Sequence, residues 1–187
     1  MAFDHEFNET FFEDVRVPAK NRVGEENRGW YVGATLLDFE RSNIDGAVHA
    51  RRQINELLDY LHSDEGKAVS RLAESDPLRH ELAEDFIETD VQYQFSFRII
   101  SMQNSGQIPN YEASTAKLFN SELNQRLART GTKIFGLHSN VWEGDLAPMN
   151  ARFTKRYVSS VSSTIAAGTS EIQRNIIATR GLGLPRG

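Results

Sequence analysis

Residues 75–103 read SDPLRHELAEDFIETDVQYQFSFRIISMQ. Ser75-Asp76-Pro77 marks a helix start, because the N–H that proline lacks has no intrahelical partner in the first turn anyway. Leu82, Phe86, Val91, Phe95 and Ile99 then recur at helical spacing and carry the helix to about Gln103. Asn104 to Pro109 is a turn. Beyond it, Tyr111 to about Phe135 repeats the pattern, with Ala116, Phe119, Leu123, Leu127 and Ile134 roughly on one side. Upstream, Ile54, Leu57, Leu58 and Leu61 belong to a helical stretch that begins near Gly29 and breaks at His62 to Glu65, before a shorter helical or loop piece. Downstream, Gly136 to Met149 is rich in breakers. A short helix from about Asn150 to Ser160 and a last one from about Ser170 to Arg180 finish the chain.

Three long helices and a shorter one, joined by short loops, predict an all-α fold: an antiparallel, up-down four-helix bundle over residues 29–187. Residues 1–28 are expected to be extended. Phe7, Phe11, Phe12, Val15 and Val17 are strand-type residues stopped by Pro18, but one strand makes no stable sheet alone. The segment is expected to be the tail of another domain or a strap over the bundle.

The chain has 187 residues, a net charge of −5 and no cysteine. It can bury a core, and it has no basic footprint for nucleic acid. The lack of cysteine excludes disulfides, thiolate zinc sites and a cysteine nucleophile. It fits an intracellular, cytoplasmic protein. Met1 to Glu13 has no apolar segment of the secretory type, and no apolar run approaches the roughly 20 residues of a membrane span.

The most specific block lies at the end. Ile165-Ala166-Ala167-Gly168-Thr169-Ser170-Glu171-Ile172-Gln173-Arg174-Asn175-Ile176-Ile177-Ala178 runs on through Gly181-Leu182-Gly183-Leu184-Pro185. It resembles the C-terminal signature of acyl-CoA dehydrogenases, flavoenzymes that desaturate acyl thioesters. Other stretches resemble the same family in the same order. Phe11-Phe12-Glu13-Asp14-Val15-Arg16-Val17-Pro18 is similar to the last strand of its middle β domain, and Gly24 to Trp30 to its linking loop. Asp38-Phe39-Glu40-Arg41 resembles the substrate-contacting part of the first long helix of its C-terminal domain. Ala116-Lys117-Leu118-Phe119 is similar to its third bundle helix. The resemblance implies that residues 1–28 are the remnant of the β domain and linker, and residues 29–187 the C-terminal domain. The N-terminal helical domain and most of the β domain have no counterpart here. The chain alone is therefore expected to be inactive and not to retain flavin.

In most of that family the residue before the Gly-Thr pair is the catalytic glutamate; here it is Ala167. A minority, similar to isovaleryl-CoA dehydrogenase, carries its glutamate on the first long helix in an Asp-x-Glu-Arg frame, which Asp38, Glu40 and Arg41 reproduce. Glu40 is thus the candidate base. Its helical spacing with Leu36, Ile44 and Ala47 places it on a largely apolar stripe, where partial desolvation raises a carboxyl pKa. On that pattern alone Glu40 reads equally as a surface charge or an ion-pair partner. Asp38 and Arg41, three residues apart, can pair; the resemblance makes them substrate contacts.

Ser170 with Gln173 three residues on is a capping-box pattern. By resemblance, Thr169 and Glu171 contact FAD at that helix start. Lys133 and Gly136 stand where the family's Gln-x-x-Gly-Gly segment meets the FAD of a neighbouring subunit, with Lys133 in place of Gln and Leu137 in place of a Gly. His49, His62 and His80 show no metal spacing and read as solvated helix residues. The resemblance implies an acyl-CoA substrate, FAD, an electron-transfer flavoprotein or similar acceptor, and a homo-oligomer (dimer or tetramer). Ala167 also admits a non-catalytic subunit or an oligomerisation module of a heteromeric acyl-CoA dehydrogenase.

Overall fold

The computed structural model of the chain describes residues 8–39 and 44–186, without the side chains of residues 37–39. It is helical, with no strand among the described residues. The elements are α1 (Gly29–Phe39), α2 (Ile44–His62), α3 (Asp64–Val69), α4 (Asp76–Asn104), α5 (Tyr111–Phe135), α6 (Arg152–Ser159) and α7 (Ser170–Ile176), with α7 continuing as a wider π-helical turn over Ile177–Gly181. The long helices α2, α4 and α5 pack on one another, and α6 and α7 lie against α5.

Residues 8–28 are exposed throughout and irregular apart from a short 3-10 turn at Ala19–Asn21. They form no strap over the bundle. Strand-type residues without a neighbouring strand have no ladder to join.

The core is built at one end. Ile54, Leu57 and Leu61 of α2 meet Leu82 of α4, Leu127, Ile134 and Phe135 of α5, and Phe153 of α6. Each such side chain contributes roughly 1.5–3 kcal/mol by leaving water. Phe135 anchors the cluster: it stands edge-on to Tyr60 at 5.8 Å and tilted to Phe153 at 6.1 Å. Gly131 makes room for this packing, because a Cβ there would lie 2.1 Å from the Phe153 ring.

Of the apolar residues at helical spacing in α4, Phe86 and Val91 lie outside its buried stripe; they are 46% and 52% exposed. The buried stripe is Leu78, Leu82, Asp85, Thr89, Gln92, Ser96 and Ile99, spaced alternately by three and four residues. Its small polar residues go inward because they satisfy themselves: the Thr89 hydroxyl donates to the Asp85 carbonyl at 2.6 Å and that of Ser96 to the Gln92 carbonyl at 3.1 Å. The short helix also starts later than expected. Met149, Asn150 and Ala151 are left-handed, with φ of 51°, 55° and 57°, so α6 begins at Arg152.

Candidate functional site

The terminal block folds into a tight turn that feeds α7. Ala167 and Gly168 are both left-handed, with φ of 54° and 89°. Glycine accepts that conformation freely; alanine does so at a cost of roughly 1–2 kcal/mol. Three side chains hold the turn. Lys117, reaching from α5, donates from Nζ to the carbonyls of Ser163 at 3.2 Å and Gly168 at 2.6 Å. Gln173 donates from Nε2 to the Ala167 carbonyl at 3.1 Å. Gln125 of α5 donates to the Thr164 hydroxyl at 3.0 Å. Burial lowers the pKa of the Lys117 ammonium, which donates to these two carbonyls.

The helix cap is Thr169, one residue before the position expected. Its hydroxyl accepts from the Ile172 N–H at 3.3 Å. Ser170 is the first helical residue, and Gln173 turns back to Ala167 rather than to a cap N–H. The Ser170 hydroxyl is buried and has no hydrogen-bond partner. Glu171 is held below the usual carboxylate range by its own backbone N–H and the Thr169 hydroxyl, with the Arg174 charge adding to both.

Beside this turn a groove of about 460 Å³ opens between α5 and α7. Thr169, Ser170 and Glu171 line one side, and Arg126 and Arg129 of α5 line the other, with Arg174 of α7 beside them. Arg174 pairs with Glu122 at 2.6 Å, and Arg126 pairs with Glu88. Among the described residues no carboxylate pairs with Arg129. The groove thus offers a cation, a helix cap and a buried hydroxyl within one cleft, a set suited to a phosphate-bearing or otherwise polar ligand.

Thr169 and Glu171, the expected FAD contacts, both line this groove. Lys133 and Gly136 lie elsewhere on α5 and at its end. Lys133 pairs with Glu81 at 2.8 Å, and Gly136 lies against the Arg71 side chain. Asp38 is in the last turn of α1, with its side chain undescribed, and Glu40 and Arg41 lie outside the described residues. Of the residues expected to share a stripe with Glu40, Ala47 is fully buried and Leu36 is 60% exposed. Sequence reasoning missed Lys117, Arg126, Arg129 and Arg174. Arg126 and Arg129 share a face of α5 by their three-residue spacing, but nothing in that spacing says that the terminal turn packs over them.

Residues 27–182 match the family model "Acyl-CoA dehydrogenase, C-terminal domain". FadE26, an acyl-CoA dehydrogenase of Mycobacterium tuberculosis, is 29% identical over 182 residues, covering 95% of this chain and 45% of that protein. Among solved structures, a variant of the Tcur3481-Tcur3483 steroid ACAD superposes with a TM-score of 0.78 at 25% identity, over 95% of this chain and 46% of that one. The ChsE4-ChsE5 complex of Mycobacterium tuberculosis superposes with a TM-score of 0.69 at 29% identity, again over 95% and 46%. The chain spans less than half the length of these relatives. It belongs to the acyl-CoA dehydrogenase family, and residues 27–182 are the C-terminal domain of that family.

Proposed function

We propose that this chain is the C-terminal domain of an FAD-dependent acyl-CoA dehydrogenase that desaturates an acyl-CoA thioester between its α and β carbons. The observation that carries the reading is the capped turn at Thr169 facing the arginines of α5. The fit to FAD is with the cofactor's polar half: among the described residues Arg129 has no carboxylate partner, and the Ser170 hydroxyl is buried with no hydrogen-bond partner. Thr169, Glu171 and Arg129 would hold that half. Lys133 and Gly136 would meet the flavin of a neighbouring subunit, with the Lys133 contact competing against its pair with Glu81. FAD, when bound, accepts the hydride that leaves the β carbon.

Glu40 takes the proton from the carbon α to the thioester carbonyl, and Asp38 and Arg41 contact the substrate. Glu40 as the base leaves the terminal turn free of that duty, which accounts for Ala167. Electrons pass on to an electron-transfer flavoprotein or similar acceptor. The protein is cytoplasmic and a homo-oligomer. Among the described residues no helix is long and apolar enough to cross a membrane. The 187-residue chain by itself is inactive and purifies colourless, because the groove offers no enclosed apolar slot for the flavin ring.

The groove is tested by FAD release from the full-length protein. Thr169→Val and Arg129→Gln are each expected to weaken FAD binding about tenfold, with the rest of the fold intact by circular dichroism. Unchanged FAD affinity in both would remove the groove as the seat.

A second reading, a non-catalytic subunit of a heteromeric acyl-CoA dehydrogenase, is favoured by Ala167 and by the likeness to a complex of two chains. It requires that desaturation appear only with a partner chain and survive Glu40→Gln. Steroid-derived and straight-chain acyl thioesters are the two substrate arms of either assay.

A further inference from the structure

A second cavity, of about 290 Å³, lies between α2 and α6. It is lined by His49, Arg52, Gln53, Glu56, Arg152 and Arg156 and shares no residue with the Thr169 groove. The sequence places them there. On α2, His49, Arg52, Gln53 and Glu56 follow one another at helical face spacing, and on α6, Arg152 and Arg156 are one turn apart.

The charges do not balance. Three guanidiniums share one carboxylate. Glu56 accepts from Arg52 Nε at 2.8 Å and from Arg152 Nη1, each through a different oxygen. Those two bonds, that from Arg52 first, hold the Glu56 carboxyl below its ordinary range, so it stays ionised. Among the described residues both arginines keep further N–H groups without a partner. Among the described residues no carboxylate pairs with Arg156. Its Nη2 donates to the Asn124 amide oxygen at 2.8 Å, and its Nε is buried and unpartnered. Gln53 is 7% exposed, and its amide oxygen is also unpartnered. The ends of a glutamine amide interchange by a flip, so this side chain can offer either a donor or an acceptor.

Like charges brought together in a partly desolvated cleft repel, and unpaired buried polar atoms are costly. A dianionic oxyanion relieves both. Guanidinium forks are matched to such groups and bind them with paired hydrogen bonds. We propose that the cleft between α2 and α6 is a binding site for a phosphate group, held by Arg52, Arg152 and Arg156 with Gln53 beneath them. Glu56 orients the two rim arginines and opposes the ligand's charge.

The site rests on no part of the flavin assignment and is tested on the 187-residue chain. Calorimetric titration with inorganic phosphate, at ionic strength held constant with chloride, is expected to show binding to one site. Arg52→Gln combined with Arg152→Gln weakens it about tenfold or more, and Glu56→Gln tightens it about threefold. Arg52 and Arg152 are chosen because their side chains are 73% and 41% exposed, whereas Arg156→Gln breaks the bond to Asn124 and endangers the fold. AMP as a second titrant separates the sources: equal affinity marks a site for phosphate alone, and tighter affinity one for a nucleotide. The proposal is overturned if wild-type chain binds no phosphate. It is equally overturned if Arg129→Gln abolishes binding while the Arg52/Arg152 variant retains it, since the phosphate then sits in the Thr169 groove.

Discussion

Asp85 points inward from α4 with one carboxyl oxygen unpartnered. Burial pushes its carboxyl above the usual carboxylate range, against the opposing pull of the Thr130 hydroxyl and the Arg126 charge. The folded chain therefore binds this proton more tightly than the unfolded chain. The stability it contributes is full below the unfolded pKa of about 3.9 and is lost as pH rises through the folded value. Asp85→Asn removes the ionisation and should raise the melting temperature at neutral pH. The gain should shrink toward about pH 4; a constant gain across that range would contradict the assignment. Thr169 makes a second residue-scale case. Thr169→Ala deletes the α7 cap and should cost about 1 kcal/mol in denaturant unfolding, with Thr169→Ser restoring most of it. The same substitution at Ser170, which caps nothing, should cost less.

At the scale of elements, α5 was legible from the sequence to both its ends, Tyr111 and Phe135, and α4 within one residue of its observed limits. Proline at the start, a break at Gly136 and long apolar periods act locally, so they can be read locally. The orientation of α4 was not legible. The apolar spacing marked a helix without saying which face turns inward, and Asp85, Thr89, Gln92 and Ser96 are buried while Phe86 and Val91 are exposed. The hydroxyls of Thr89 and Ser96 bond to carbonyls of their own helix, and no pattern of side-chain polarity reveals that. The α5–α6 contact was equally hidden, since it depends on a left-handed run at Met149, Asn150 and Ala151 that turns Phe153 onto Gly131. Gly131→Ala decides between two effects of opposite sign. Helix propensity alone would stabilise by about 1 kcal/mol. The added methyl would meet the Phe153 ring, which shares the core with Phe135, and overpacking of that kind costs roughly 1–3 kcal/mol. Net destabilisation is expected in urea unfolding; a gain would show that the ring yields freely.

For the molecule as a whole, the candidate site was half legible. Thr169 and Glu171 could be picked out because the terminal block is a contiguous signature. Lys117 and the arginines of α5 could not, because they reach the turn from residues more than forty positions away in the case of Lys117. Phe86, Ile87 and Val91 are exposed apolar side chains on α4, the surface on which the proposed homo-oligomer would form. Sedimentation should show dimers or larger species that Ile87→Glu with Val91→Glu dissociates, and a monomer throughout would contradict the oligomeric reading. The catalytic assignment rests on Glu40. It is tested most directly by anaerobic stopped-flow reduction of the FAD-loaded full-length protein with its acyl-CoA substrate, wild type against Glu40→Gln. Flavin bleaching slowed by about a hundredfold or more, with substrate affinity little changed, is the expected result; bleaching at the wild-type rate would contradict it.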